Sequence, residues 1–564
     1  MEFQQYQYVR PEMNEMEAQF NELLKKFTSA DSVETQDGIM AEINQLRNEF
    51  ESMMQIVYIR HTIDTNDEFY KGEQDYFDEV DPLYQGFVNR YYEALTKSNF
   101  RAELEGKWGK QLFALAELSQ KTFSPEIVED LQLENKLSSE YTKLIASAKI
   151  TFEGEERNLP QLVPFQLSTD RDMRKKAMEA KYDFFKENEE KIDEIYDQLV
   201  KVRTKIARKL GFENFVELGY ARMNRIDYNG EMVANFRKQV QDFIVPVATQ
   251  LKEKQRARIG VEELKYYDDR FAFETGNATP KGDPEWIIAN GEKMYQELSK
   301  ETDEFFTFMR EKELLDLVSK KGKAGGGYCT YIEKYKSPFI FANFNGTSGD
   351  IDVLTHEVGH AFQVYLSRSF AVPEYQFPTH EACEIHSMSM EFFAWPWMEL
   401  FFKEDTDKYK FNHLSDGLLF IPYGVSVDEF QHFVYENPDL TPAERKLGWR
   451  EIEKKYLPHR NYDENDYLER GGFWHQQGHI FNSPFYYIDY TLAQICAFQF
   501  WKRANEDKEG AWADYITLCK QGGSQSFTEL VSVANLISPF KDGCVKSVID
   551  DIEAWLNGVD DSSL

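Results

Sequence analysis

Five consecutive residues, His356-Glu357-Val358-Gly359-His360, have the types and the spacing for metal-assisted hydrolysis. On a helix, positions i and i+4 lie one turn apart on one face. Two imidazoles placed so can hold one zinc ion, and the glutamate between them can take a proton from water. A catalytic zinc usually keeps three protein ligands and one open position, so the motif is one ligand short. The stretch His380–Phe393, after Pro373-Glu374 and Pro378-Thr379, is the place to find the third. There Glu381, Glu384, Met388 and Glu391 recur at i, i+3, i+7 and i+10, on one helical face. Carboxylates among Met, Ile and Phe are costly to bury unless they meet a cation. Glu384 stands 24 residues after His360, room for a loop and a second helix packed on the first. Glu381 and Glu391 would then hold the ring N–H groups of the histidines. His380, Cys383 and His386 compete with Glu384 on chemical grounds, but Cys383 and His386 project away from its face.

Hydrolysis of an acyl bond at such a centre would also create an oxyanion that needs donors. The His- and Tyr-rich stretch Gly471–Tyr490 offers them. Ser483-Pro484 reads as an N-cap followed by proline at the first helical position, which leaves His479 in the loop ahead of that helix. Tyr487 and Tyr490 are then i, i+3 neighbours, and Tyr486 and Tyr490 are i, i+4. His475, His61, His413, His432 and His459 show no partner pattern and read as structural or surface histidines.

These groups need elements to position them. From Pro11 to about Ser147 the apolar residues keep helical spacing, as in Met16, Phe20, Leu23, Leu24, Phe27 and in Ile39, Met40, Ile43, Leu46, Phe50, Met53, Val57. Lys149–Gly154 and Leu159–Phe165 read as short extended pieces around a turn, and Ser168-Thr169-Asp170 offers helix caps. The change of texture divides the chain into an N-terminal helical lobe, 1–165, and a catalytic region, 166–564. Gly325-Gly326-Gly327 marks a second change. Tyr328–Tyr331 and Pro338–Asn345 are the best strand material in the chain. Gly346–Asp350 is the turn out of it, and Thr347-x-x-Asp350 reads as a capping box for the helix that carries His356 and His360. Strand Phe339–Asn345 would present an edge to which an extended peptide could add. The expected fold is mainly α, with a small β-sheet beside the motif helix.

Composition narrows the partners. The formal net charge of −33 disfavours nucleic acid and anionic lipid. Five scattered cysteines with no C-x-x-C pair do not make a disulfide framework and fit a reducing compartment. The N-terminus has no apolar signal region, and no uninterrupted apolar run approaches membrane-spanning length. A soluble cytoplasmic protein is expected.

The run Asn343-Phe344-Asn345-Gly346-Thr347, then Asp350, then His356-Glu357-Val358-Gly359-His360-Ala361 resembles the thimet oligopeptidase and oligoendopeptidase F family of zinc peptidases. Cys383-Glu384-Ile385-His386-Ser387 resembles that family's third-ligand segment. The likeness is strong over 339–392, fair over 470–500, and is greatest to oligoendopeptidase F and the bacterial Pz-peptidases. It implies a large helical ellipsoid with a deep substrate channel and one Zn2+ held by His356, His360 and Glu384. It implies Glu357 as general base, and His479, Tyr487 and Tyr490, with Tyr486 beside them, as contacts for substrate and oxyanion. The implied activity is cleavage of internal bonds in short peptides. A carboxypeptidase or dipeptidyl carboxypeptidase on the same scaffold, and an inactive peptide-binding scaffold, are the alternatives.

Overall fold

The computed structural model describes residues 1–320, 322–324 and 326–564; of the triplet Gly325-Gly326-Gly327, Gly325 lies outside the described residues. Among the described residues the fold is mainly helical with two small sheets. The N-terminal apolar spacing forms the helices Met13–Ser29, Val33–Ile63 and Glu68–Thr96, which bury Phe20, Phe27, Ile43, Phe50 and Val57. The chain folds as two units built from interleaved segments: 1–121, 279–406 and 496–537 form the first, and 122–278, 407–495 and 538–564 the second.

The first unit holds the strand, turn and motif helix in the expected order. Ser337–Phe344 is a strand and Gly349–Ser367 is the motif helix. The strand is central, not an edge: Leu315–Val318 pairs parallel on one side and Tyr328–Ile332 antiparallel on the other. Its near-continuous apolar run is what a strand covered on both faces needs. The missed partner Leu315–Val318 is four residues long and half-buried, too short to signal itself. The rim strand next to the motif helix is therefore Tyr328–Ile332.

The turn into the motif helix is tied differently from the capping box. Ser348 is the N-cap and caps with no side-chain bond. The Asp350 carboxylate instead accepts the N–H groups of Asn345 and Gly346, at 2.8 Å each, and is buried. Burial pushes this carboxyl up against the pull of those two donors. Asp350 thus closes the turn back onto the end of the strand, which sets where the motif helix starts.

In the second unit Ile150–Phe152 and Glu155–Arg157 form a hairpin, with Glu153 and Gly154 at positive φ as a tight two-residue turn requires. Leu159–Gln166 is a helix, not a second extended piece. Asn158 and Gln161 cap it reciprocally, and Pro160 falls in the first turn, where its missing N–H is harmless. Asp170 caps Arg171–Glu187 as expected.

If Asp350 sets the turn, Asp350→Ala should speed hydrogen exchange at the Asn345 and Gly346 amides by roughly 30- to 100-fold, the loss of two charge-assisted bonds. Unchanged protection would show that the turn holds without it.

Candidate metal centre

The motif helix and the helix His380–Phe393 cross at a glycine. A Cβ on Gly359 would stand 2.7 Å from the His386 carbonyl oxygen and 2.7 Å from Ser387 Cα. No larger residue permits this approach, and it is what brings one helix's carboxylate to the other's imidazoles. Tyr515, on the helix Lys508–Gln521, holds the far side by donating to the His386 carbonyl at 2.7 Å.

Glu384 Oε2 lies 3.3 Å from His356 Nε2 and 3.6 Å from His360 Nε2. All three donor atoms fall within 4.8 Å of one another. Ligands bound at about 2.0–2.1 Å to a tetrahedral ion stand about 3.4 Å apart, so the triangle fits one divalent cation. The two rings meet edge to face at 84°, with centroids 5.1 Å apart. Glu391 Oε1 lies 2.7 Å from His356 Nδ1, which turns the other ring nitrogen toward the centre. Ser387, part of the segment that carried the family resemblance but given no role there, donates to Glu384 Oε2 at 3.0 Å.

The carboxylate face is no solvated stripe: Glu381 is 1% exposed and Glu384 6%. The charges are set against each other. Burial would raise the Glu384 carboxyl, but the charges of His360 and His356 with hydrogen bonds from His356 and Ser387 bring it down to about 2. Burial would lower His356, yet Glu384 and Glu391 hold it well above the usual histidine range. Burial pulls His360 down to about 4, with the charge of Glu384 opposing. A proton on His356 would offset part of the charge of Glu384 and Glu391, and a divalent cation at the triangle would supply more. Glu357, beside the triangle, is pushed up to about 7 by burial, with the charge of His356 opposing and those of Glu384 and Glu391 adding.

The competing ligands do not join the cluster. His380 is exposed at the helix start, Cys383 donates to the Pro378 carbonyl, and His386 is buried on the side facing Tyr515. Among the described residues only His356, His360 and Glu384 gather donors this closely.

In the second unit the His479 ring is surrounded by Tyr486, Tyr487 and Tyr490, at centroid distances of 5.8, 5.0 and 6.0 Å. His479 lies on a short helix, Gly478–Asn482, rather than in a loop. The next helix begins at Tyr487, so Ser483-Pro484 is connector and not cap; Phe485, at φ +67°, breaks the helical path. The Tyr423 hydroxyl donates to Gln477 Oε1 at 2.7 Å, which fixes that amide so that its Nε2 donates to His479 Nδ1 at 2.8 Å. Burial lowers the pKa of His479; a neutral ring that accepts at Nδ1 carries its proton on Nε2. His475 is structural: its ring nitrogens meet the Tyr467 hydroxyl at 2.9 Å and Asp193 at 3.0 Å.

The sequence pattern of peptidase family M3 matches residues 165–281 and 289–548, and that of the peptidase M3 N-terminal domain matches 3–123. An oligoendopeptidase F homolog from Borreliella burgdorferi is 24% identical over 453 residues, 72% of this chain and 73% of its own length. Among solved structures, Pz peptidase A with an inhibitor is 70% identical over all of both chains, with a TM-score of 0.93. An oligoendopeptidase F from Bacillus anthracis strain Ames is 64% identical over 100% of this chain and 99% of its own, with a TM-score of 0.89.

Two substitutions test the geometry. Glu391→Gln is expected to weaken divalent-metal binding about 10- to 100-fold. Gly359→Ala should displace the helices and abolish stoichiometric metal binding by the purified protein. Full metal content in Gly359→Ala would contradict the close approach as the basis of the triangle.

Proposed function

Because the chain belongs to peptidase family M3 and is a metallo-endopeptidase, we propose that it hydrolyses internal bonds of short peptides with one zinc ion, held by His356, His360 and Glu384. The observation that carries this reading is the donor triangle, at 3.3 and 3.6 Å across the two helices, with Glu357 beside it. Two imidazoles and one carboxylate suit zinc in its catalytic form, with one position left open. When bound, the ion polarises the scissile carbonyl and acidifies a water molecule.

The chain's own groups do the rest. Glu391 keeps the proton of His356 on Nδ1, so that Nε2 presents its lone pair. Glu357 takes a proton from the attacking water and passes it to the leaving amine nitrogen. His479, through Nε2–H, and the hydroxyls of Tyr487 and Tyr490 donate to the oxyanion, with Tyr486 beside them. The rim strand Tyr328–Ile332 offers main-chain groups to an extended peptide, a mode of binding indifferent to side-chain identity. Its approach supports this: a Cβ on Gly327 would lie only 3.7 Å from Glu357 Oε1, so the strand's start passes the proposed base. No described helix is long and apolar enough to cross a membrane, and among the described residues no disulfide joins any of the five cysteines; the scattered thiols suit a reducing compartment such as the cytoplasm.

Glu357→Gln should retain metal and lose roughly 10²- to 10⁴-fold in kcat on internally quenched peptides. Equal cleavage by the two proteins would rule Glu357 out as base. End-group analysis should find internal cuts; release of single residues or dipeptides from the C-terminus would favour the carboxypeptidase reading instead. Glu357 works as a base only when ionised, and a bound cation favours the carboxylate. The ratio kcat/KM should therefore rise with pH through a midpoint at or below about 7. A flat profile from mildly acid to neutral pH would contradict this assignment.

A further inference from the structure

The connector between Gly478–Asn482 and Tyr487–Glu506 is held in a conformation that one of its residues disfavours. Phe485 has a φ of +67°, where a Cβ crowds the backbone. Such a residue persists only where its surroundings over-determine it. The Phe485 ring is fully buried, with centroids 5.1, 5.5 and 5.7 Å from those of His432, Tyr220 and Tyr435. Its N–H donates to Gln431 Oε1 at 2.8 Å. Its carbonyl accepts from Arg225 Nη2 at 2.5 Å, and the same nitrogen donates to Asp489 Oδ1 at 2.7 Å. Both side chains of this ion pair are fully buried. Gly219 is the socket: a Cβ there would stand 2.4 Å from Phe485 Cδ2.

The anchored positions, 485 and 489, bracket Tyr486 and Tyr487, and Tyr490 follows directly. Along the start of the helix, Asp489 turns to Arg225 while Tyr487 and Tyr490 turn to His479. A buried ion pair is weak evidence for stability, since apolar replacements often serve as well. What this one supplies is geometry: one guanidinium nitrogen fixes a backbone carbonyl and a side chain four residues apart.

We propose that Arg225 is a positioning residue of the peptidase: by clamping the Phe485 carbonyl and the Asp489 carboxylate, with Gly219 seating the Phe485 ring, it aims the Tyr487 and Tyr490 hydroxyls at the oxyanion. This rests on the reading that those tyrosines serve the oxyanion. Arg225→Lys keeps the charge but cannot reach both acceptors with the guanidinium's geometry. Gly219→Ala displaces Phe485 from the other side.

The test measures kcat, KM and metal content for Arg225→Lys, for Gly219→Ala and for the Tyr487→Phe, Tyr490→Phe pair. It then measures each of the first two in the background of that pair. Arg225→Lys and Gly219→Ala should each lower kcat roughly 10- to 100-fold, with KM within about threefold and metal content intact, a part of what losing one oxyanion donor costs. In the double-tyrosine background neither should lower kcat further, because both act through groups already removed. Fully multiplicative losses would overturn the proposal and leave a purely structural role. If Arg225→Lys does not fold, Gly219→Ala carries the same comparison. An unchanged kcat in the tyrosine pair overturns the reading of the tyrosines, and the positioning role with it. A loss there but none in Arg225→Lys overturns the positioning role alone.

Discussion

Two helices approach so closely at Gly359 that one's backbone occupies the space of the other's side chain. The rest of the metal centre depends on that contact. His356 and His360 share a face because they are one turn apart, a local fact of helical geometry. Glu384 reaches them only because the second helix lies at glycine distance, a fact about two elements. Asp350 sets the start of the first helix and Tyr515 backs the second. The triangle is thus defined by Gly359, Asp350 and Tyr515, none of which supplies one of its three donor atoms.

Electrostatics explains why so many charges gather in a buried place. Isolated carboxylates would be strongly disfavoured there. Glu384 and Glu391 persist because the His356 ring faces both: Nδ1 meets Glu391, and Nε2 faces Glu384 where a divalent cation would put its charge. Burial raises Glu357, against the weaker pull of His356, into the range where a carboxylate can accept and return a proton near neutral pH. One burial, opposed more or less strongly by charge, separates the holding residues from the proposed base.

Much of this was legible in the chain itself. The i, i+4 histidines and the i, i+3, i+7, i+10 carboxylates are periodic, and periodicity survives without knowledge of the fold. What could not be read was pairing and closure. Phe339–Asn345 looked like an edge because its parallel partner, Leu315–Val318, is too short to signal itself, and strand order is a non-local property. Thr347 and Asp350 had the spacing of a capping box, but Asp350 found better donors in the turn behind it. Leu159–Phe165 carried two prolines and read as extended, yet one falls where a helix tolerates it. Ser483-Pro484 had the letters of a helix start, and the left-handed Phe485 after it moved the start to Tyr487. Strand order and the placement of Phe485 turned on tertiary contacts, whereas the Asp350 turn and the Leu159–Gln166 helix turned on local caps.

The central claim is that the helix pair brings two imidazoles and one carboxylate, and no thiol, to a single zinc ion. X-ray absorption at the zinc edge on the purified protein tests it directly. The account predicts a first shell of nitrogen and oxygen alone at about 2.0–2.1 Å, with two imidazole ring signatures. A sulfur scatterer at about 2.3 Å, which would place a thiol such as Cys383 on the ion, would contradict it.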